Sequence, residues 1–325
     1  MLKTIVARGP TGRDPVIMPM QRIGAFAGVP DLIRQLGADP AHILASAGLA
    51  RDALGSPENR LPLRAVVRLL DIAAKRTQCP HFGLLAGRMW RLADLGLVGD
   101  IARHSRTAGE ALATATVHQH LNSGGSLAFV MQRAGIVDFG YAIYDASVQG
   151  AAQFHDAVLA AYFHFMRELC GPDWLPSEVF VSHAKPLDSS QHRALFKVQP
   201  RFNAEFSALR FPARWMDRVV AGSDADQLRR ALQQAATVAS TDLVDQVLRA
   251  LRILMLYGKN SGNDVATALS MHRRTLNRRL KAQNTTFQHV LDEVRFNVAR
   301  QLLAESDIAL DDIAATLGYA GVSPF

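Results

Sequence analysis

Cysteine is nearly absent: Cys79 and Cys170 are the only two in 325 residues, about ninety positions apart and outside any CxxC spacing. Neither a disulfide framework nor a thiolate cluster follows from such usage, and a reducing, cytoplasmic setting is expected. Long apolar runs are missing too. "LRILMLYG" is too short for the roughly 20 residues that span a bilayer, and "AVLAAYFHFM" is interrupted by His164, so no membrane partner is expected. The opening "MLKTIVARGPTGRDPVIMPMQR" lacks the apolar core of a secretory signal and is broken by Pro10, Pro15 and Pro19; residues 1–28 read as a flexible N-terminal tail.

Signatures of catalysis are missing as well. There is no GxxxxGK[ST] phosphate loop, no HExxH and no GxSxG turn. Cys79 and His81 are neighbours in sequence, which does not give a nucleophile and base their geometry. His118 and His120 lack a third local ligand and are expected to point apart on a helix, so no metal is assigned. Asp311 and Asp312 read as acids favouring a helix start rather than as an acid/base pair. No catalytic residue, no cofactor and no enzyme activity are expected.

What is present is a positive balance, +7 with a pI near 9.8, which favours polyanionic partners without naming one. From Gly258 onward, eight Lys or Arg meet seven Asp or Glu, so any electrostatic footprint there is a local arrangement. Residues 29–49 give two short helical patterns split at Gly37 and Asp39-Pro40, and 62–75 gives a longer amphipathic helix. "SLAFVMQRAG" and "IVDFGYAIY" read as an antiparallel pair, followed by a strong helix over 151–169. "SEVFVSHA" and "EFSALRF" read as strands flanking a short helix at 190–197. This is an α+β domain over 29–220. A linker helix over 221–239 and an all-α domain from 240 to 325 follow, the latter with helices expected at 242–256, 264–269, 272–283, 287–303 and 310–317.

"DVATALSMHRRTLNRRLKAQ" carries the chemistry. Val265, Ala266 and Leu269 supply the inner side of a short first helix. A second helix buries Leu276 and Leu280, one turn apart, and turns Arg273, Arg274, Asn277 and Arg278 outward. Arg can bond guanine with two convergent donors, Asn can read adenine, Thr275 can meet a thymine methyl or a phosphate, and Lys281 suits backbone charge. From these residues alone a solvated Arg-rich surface helix, a DNA-reading helix and a helix for RNA or another anion all stand.

The stretch from "VATALSMHRRTLNRRLKAQ" through "NTTFQHVLDEVRFNVARQLLAESDIALDDIAATLGYAG" closely resembles the AraC/XylS family of bacterial transcription regulators. The resemblance implies two helix-turn-helix units joined by a long helix whose stripe is Phe287, Val290, Leu291, Val294, Val298, Leu302 and Leu303. It places the first recognition helix at 272–281, with Arg274 and Arg278 facing bases, and the second unit from Leu310. The given sequence stops at Phe325, where the second recognition helix should begin, so this unit is expected to be incomplete.

Fragments such as "LGADPAHILASAGL", "GPDWLPSEVFVSHAKP" and "HRALFKVQPRFNAEFSALRFPARWMDRVV" resemble the large arabinose-binding-like effector and dimerisation region of one subgroup. Tyr141, Tyr144, His155, Tyr162, His164 and Arg167 are the polar groups that could meet an effector there, Arg167 an anionic one. The expectation is therefore a cytoplasmic, effector-modulated, sequence-specific DNA-binding regulator. Its partners would be double-stranded DNA, an unidentified small molecule, a second copy of itself and RNA polymerase at promoters. A nonspecific nucleic-acid-binding or scaffolding protein is the alternative, and an enzyme with a secondary DNA-binding module a further one.

Overall fold

The computed structural model describes residues 19–143, 148, 150–204, 206–238, 243–255, 260–269, 271–305 and 314. Order begins earlier than the composition predicts. Strand β1 (Met20–Arg22) pairs antiparallel with β2 (Arg60–Pro62), and Ile23 and Phe26 in the following turn are fully buried. Arg22 is itself buried: its Nε and one terminal nitrogen donate to Glu58 at 3.1 and 2.5 Å, and the other donates to the Asp94 carbonyl at 2.6 Å. Residues 20–28 are thus part of the folded domain, not of the tail; a three-residue strand beside prolines is too short to show an alternating pattern.

Helix α1 (Val29–Gln35) and α2 (Pro40–Ser46) form where expected, α2 opening on an Asp39 carboxylate that accepts from the Ala41 amide, with Pro40 in the first turn. Next come α3 (Leu63–Arg76), α4 (Phe82–Met89), α5 (Leu97–His104) and α6 (Ala108–His118). Strands β3 (Ser126–Arg133) and β4 (Ile136–Ile143) form the predicted hairpin; its two turn residues, Ala134 and Gly135, both have positive φ, as a tight hairpin twist demands. Helix α7 (Ala152–Cys170), β5 (Glu178–Phe180), α8 (Ser190–Phe196) and β6 (Ser207–Pro212) complete this half. The sheet is antiparallel with order β3-β4-β6-β5.

Fourteen of the nineteen residues of α7 are buried, so the helix must be covered on nearly every side. The sheet covers one side, where the Tyr162 ring stacks on Phe139 with centroids 4.0 Å apart. Helix α4 covers another by backbone approach. Gly83 and Gly87 lie one turn apart on α4, and a Cβ at either would stand 2.0 Å from the carbonyl oxygen of Gln153 or Ala157 on α7.

Helix α9 (Ala225–Val238), expected to link two domains, is docked: Ala231 and Ala235 pack on Val98 and Ile101 of α5 and on Leu121. The chain just before it is also held, by Val220 to the Arg106 carbonyl at 3.1 Å and Asp224 to the His104 carbonyl at 3.1 Å. Helices α10 (Leu243–Met255), α11 (Gly262–Ala268), α12 (Arg273–Ala282) and α13 (Phe287–Glu305) then build a separate core from Val247, Leu251, Val265, Leu276, Leu280, Phe287, Val290 and Val294. The expected helix at 310–317 lies outside the described residues apart from the helical, buried Ala314, as do the side chains of Val298, Leu302 and Leu303.

Replacing Gly87 by alanine forces α4 and α7 apart against backbone atoms that have no rotamer to yield. Unfolding free energy should fall by about 1–3 kcal/mol in a urea titration; an unchanged midpoint would contradict the close crossing.

Candidate nucleic-acid interface and effector sites

The first helix-turn-helix unit is fixed by caps at both ends. Ser261 and Asp264 form a reciprocal capping box at the start of α11. Helix α12 ends on Asn284 in the left-handed region (φ 56°), and the Thr285 amide donates back to the Leu280 carbonyl at 3.1 Å. Between these caps Leu276 and Leu280 are fully buried. At about 100° per residue, Arg274 and Arg278 fall on the side of α12 farthest from them, with Asn277 and Lys281 beside, and all four are exposed. Thr275 is half-buried on the opposite flank.

The electrostatics of α12 run against its own stability. Its first turn has no acid and begins with two arginines, while a helix N-terminus favours negative charge. Arg274, Arg278, Arg279 and Lys281 join no salt bridge among the described residues. A helix serving only as surface has no need of that arrangement, whereas an external polyanion would relieve it. Lys281, in the last turn, suits the dipole in either case.

Arg273 is exposed like its neighbours but packs on one side against the protein. Its guanidinium carbon sits 5.2 Å from the centroid of the Phe287 ring, over the surface left open by Gly262, where a Cβ would come within 2.4 Å of it. At about 60° from Leu276 around the helix, it is close enough to the inner face to fold back onto α13.

The six effector candidates divide. Tyr141, His155 and Tyr162 converge between the sheet and α7, with Tyr141 centroids 5.8 and 6.4 Å from His155 and Tyr162. All three are buried; His155 Nδ1 lies 3.2 Å from Ser207 Oγ, and burial together with the nearby His183 pushes its pKa down to about 4. Burial pushes the Tyr162 phenol far up. The space here is filled by the protein's own rings. His164 and Arg167 lie elsewhere, Arg167 over the Phe163 ring at 5.5 Å. His164 is half-buried with Arg91, Arg88 and Arg167 around it, and burial followed by these charges lowers its pKa to about 4. Tyr144 lies outside the described residues.

One cluster escaped the sequence reading. Asp156, His183 and His192 come from α7, the segment after β5, and α8, and their ligating atoms lie within 4.8 Å of one another. Asp156 Oδ1 is 3.0 Å from His183 Nε2 and 2.9 Å from His192 Nε2. Burial would raise the Asp156 pKa, but the two imidazole hydrogen bonds outweigh it and hold the carboxyl below its usual range. Burial likewise opposes charge on His183, and the bond to Asp156 reverses that, so its pKa is raised. The partners are 27 and 36 residues apart in sequence, beyond any local spacing signal.

The histidine pair that stands out in the sequence, His118 and His120, lies apart from this cluster. Their rings do not point apart: they stack with centroids 6.3 Å apart, because α6 gives way to a 3-10 turn between them. Cys79 and Cys170 are both buried, and burial raises both thiols, that of Cys170 to about 11. The Asp311-Asp312 pair lies outside the described residues.

Two family descriptions match the chain: the arabinose-binding domain of AraC transcription regulator, N-terminal, over residues 37–220, and a helix-turn-helix domain over 265–325. The HTH-type transcriptional regulator VirS of Mycobacterium tuberculosis is 27% identical over 298 residues, covering 90% of this chain and 88% of VirS. The ornithine utilization regulator of Pseudomonas aeruginosa is 25% identical over 304 residues, covering 91% and 88%. The crystal structure of transcriptional regulator CdpR from Pseudomonas aeruginosa aligns with a TM-score of 0.46 at 22% identity, over 91% of this chain and 93% of that one.

Two outcomes follow from these placements. Arg273→Ala should destabilise the C-terminal core by about 0.5–1 kcal/mol in thermal or urea melts, while leaving the ranking of DNA sequences unchanged. His164 has a folded-state pKa near 4 against 6.5 for the free side chain, so as the pH falls through that window the unfolded chain takes up a proton that the folded one refuses. Its contribution is therefore fully present above pH 6.5 and lost toward pH 4. His164→Asn should flatten the dependence of the urea midpoint on pH over this range, and an unaltered slope would contradict the assignment.

Proposed function

The chain belongs to the AraC transcription regulators that carry an arabinose-binding-type N-terminal domain, and from that membership we propose how it reads DNA and responds to a ligand. It is a DNA-binding transcription regulator modulated by a small-molecule effector. The observation that carries the reading mechanism is the pair Arg274 and Arg278, exposed on the side of α12 opposite the buried Leu276 and Leu280. A major groove admits a helix, and each guanidinium can donate two bonds to one guanine edge. Asn277 reads an adjacent adenine, Thr275 braces at the flank, and Lys281 contacts phosphate. Arg273 serves this surface by packing rather than by reading.

The protein works as a cytoplasmic homodimer that engages RNA polymerase at promoters, the second unit reading the next major-groove segment. Residues 29–220 bind the effector and dimerise, residues 221–239 connect, and residues from 240 bind DNA. An effector changes DNA occupancy only by binding two arrangements of the protein unequally. Of the two candidate groups, the one around His164 is the better placed for an entering ligand: Arg88 and Arg91 are exposed and Arg167 half-buried, so an anionic effector meets three guanidinium groups at the surface. Tyr141, His155 and Tyr162 stand behind it as residues of a site that opens only if α7 parts from the sheet.

Fluorescence titrations of cognate and scrambled duplexes at several salt concentrations test the reading roles. Arg278→Ala should cost about 1–3 kcal/mol on the cognate duplex alone. Lys281→Ala should weaken both duplexes alike and lower the salt slope by about 1. Equal loss on both duplexes for Arg278→Ala removes its base-reading role and favours a nonspecific polyanion contact.

A further inference from the structure

The cluster of Asp156, His183 and His192 has the build of a cation site. The side chains of Asp156 and His192 are each 3% exposed, and that of His183 is 15% exposed, at the edge of the domain. The tautomer of His183 is informative. Its Nδ1 lies 2.9 Å from the carbonyl oxygen of Ala184, and because a carbonyl only accepts, Nδ1 holds the proton. The lone pair on Nε2 of the neutral ring then faces the Asp156 oxygen at 3.0 Å, two acceptors in contact. Such a pair is attractive only with a proton between the two atoms or a metal ion at Nε2. A ring proton donated to a backbone carbonyl, with the other nitrogen left for the ion, is also how metal-binding histidines are usually oriented.

His192 offers the same nitrogen: its Nε2 is 2.9 Å from the same oxygen, and its buried Nδ1 has no hydrogen-bond partner among the described residues. The Phe202 ring flanks both imidazoles, with centroids 5.8 Å from His183 and 5.2 Å from His192. Neighbouring ligands of a tetrahedral zinc ion, at bonds of about 2.0–2.1 Å, are separated by roughly 3.3 Å. The observed 2.9 and 3.0 Å separations need a few tenths of an ångström of expansion to match, and the two Nε2 atoms, within 4.8 Å of each other, are brought to the same spacing by the ion. We propose that Asp156, His183 and His192 bind one divalent transition-metal ion of the zinc class, through Oδ1 and the two Nε2 atoms. Water fills the fourth position on the side where His183 reaches solvent. Any proton on His183 Nε2 leaves to solvent, and that of His192 passes to Nδ1 or leaves likewise. The ion ties α7 to α8 and to the segment after β5, inside the effector domain and independently of the DNA-reading helix.

The test uses the purified full-length chain, stripped with a chelator, then titrated with Co2+ as a spectroscopic probe and with Zn2+ against a chromophoric competitor. The expected result is one ion per chain, with the visible bands of tetrahedral cobalt, and a loss of affinity of about a hundred-fold or more in His183→Gln and His192→Gln. A double replacement of His118 and His120 by Gln should leave binding unchanged. Asp156→Asn is the most direct variant; should that buried change prevent folding, His183→Gln at the domain edge poses the same question, with circular dichroism confirming its fold. Wild-type binding below one ion per chain at micromolar metal overturns the proposal. So does binding that survives both single-histidine variants, or that vanishes with His118 and His120; the cluster is then a hydrogen-bonded strut.

Discussion

The N-terminal half depends on one contact between backbones, that of Gly83 and Gly87 with the carbonyl oxygens of Gln153 and Ala157. It lets α4 approach α7 more closely than any side chain would allow, and α7 is the element from which the other features are hung. Asp156 leaves it toward α8, Tyr162 toward the sheet, and His164 and Arg167 toward the arginines around α4. Protein interiors are packed too densely for such an element to shift by itself. A displacement of α7 relative to α4 therefore moves all of these groups together.

The C-terminal unit solves a different problem, holding like charges at the end of a short helix that does not favour them. Two leucines one turn apart fix the rotation of α12, Asn284 ends it in the left-handed region, and the cap at Ser261 starts α11 before it. What remains outward is cationic, and Arg274, Arg278, Arg279 and Lys281 form no ion pair among the described residues. Local structure and electrostatics disagree here, and such disagreement is characteristic of a surface shaped by what it binds.

Much of this was legible because it is periodic. The stripes of α3, α7 and the first half of α13 are repeated signals over many residues, the β3–β4 hairpin shows as two apolar runs about a short turn, and Leu276 with Leu280 declared the inner face of α12. What stayed hidden is either short or nonlocal. Met20–Arg22 forms a strand only because Arg60–Pro62 pairs with it, and Arg22 is buried because Glu58 and the Asp94 carbonyl meet it there. The inward turn of Arg273 needs Phe287 and the missing side chain of Gly262, while Asp156, His183 and His192 are gathered by the crossing of α7, the segment after β5, and α8. The candidate effector residues fall into two groups because a helix has more than one face: residues 162 and 164 point in different directions.

The docking of α9 on α5 bears on how the two halves communicate. A freely jointed linker absorbs movement at one end as chain entropy and delivers little of it at the other. Here the connecting helix is seated by Ala231 and Ala235, and its entry is bonded to the chain between α5 and α6. Movement of α5 is therefore met by a seated helix rather than by slack chain. Small side chains at Ala231 and Ala235 set the depth of that seat, and a larger residue at either would lift α9 from Val98 and Ile101.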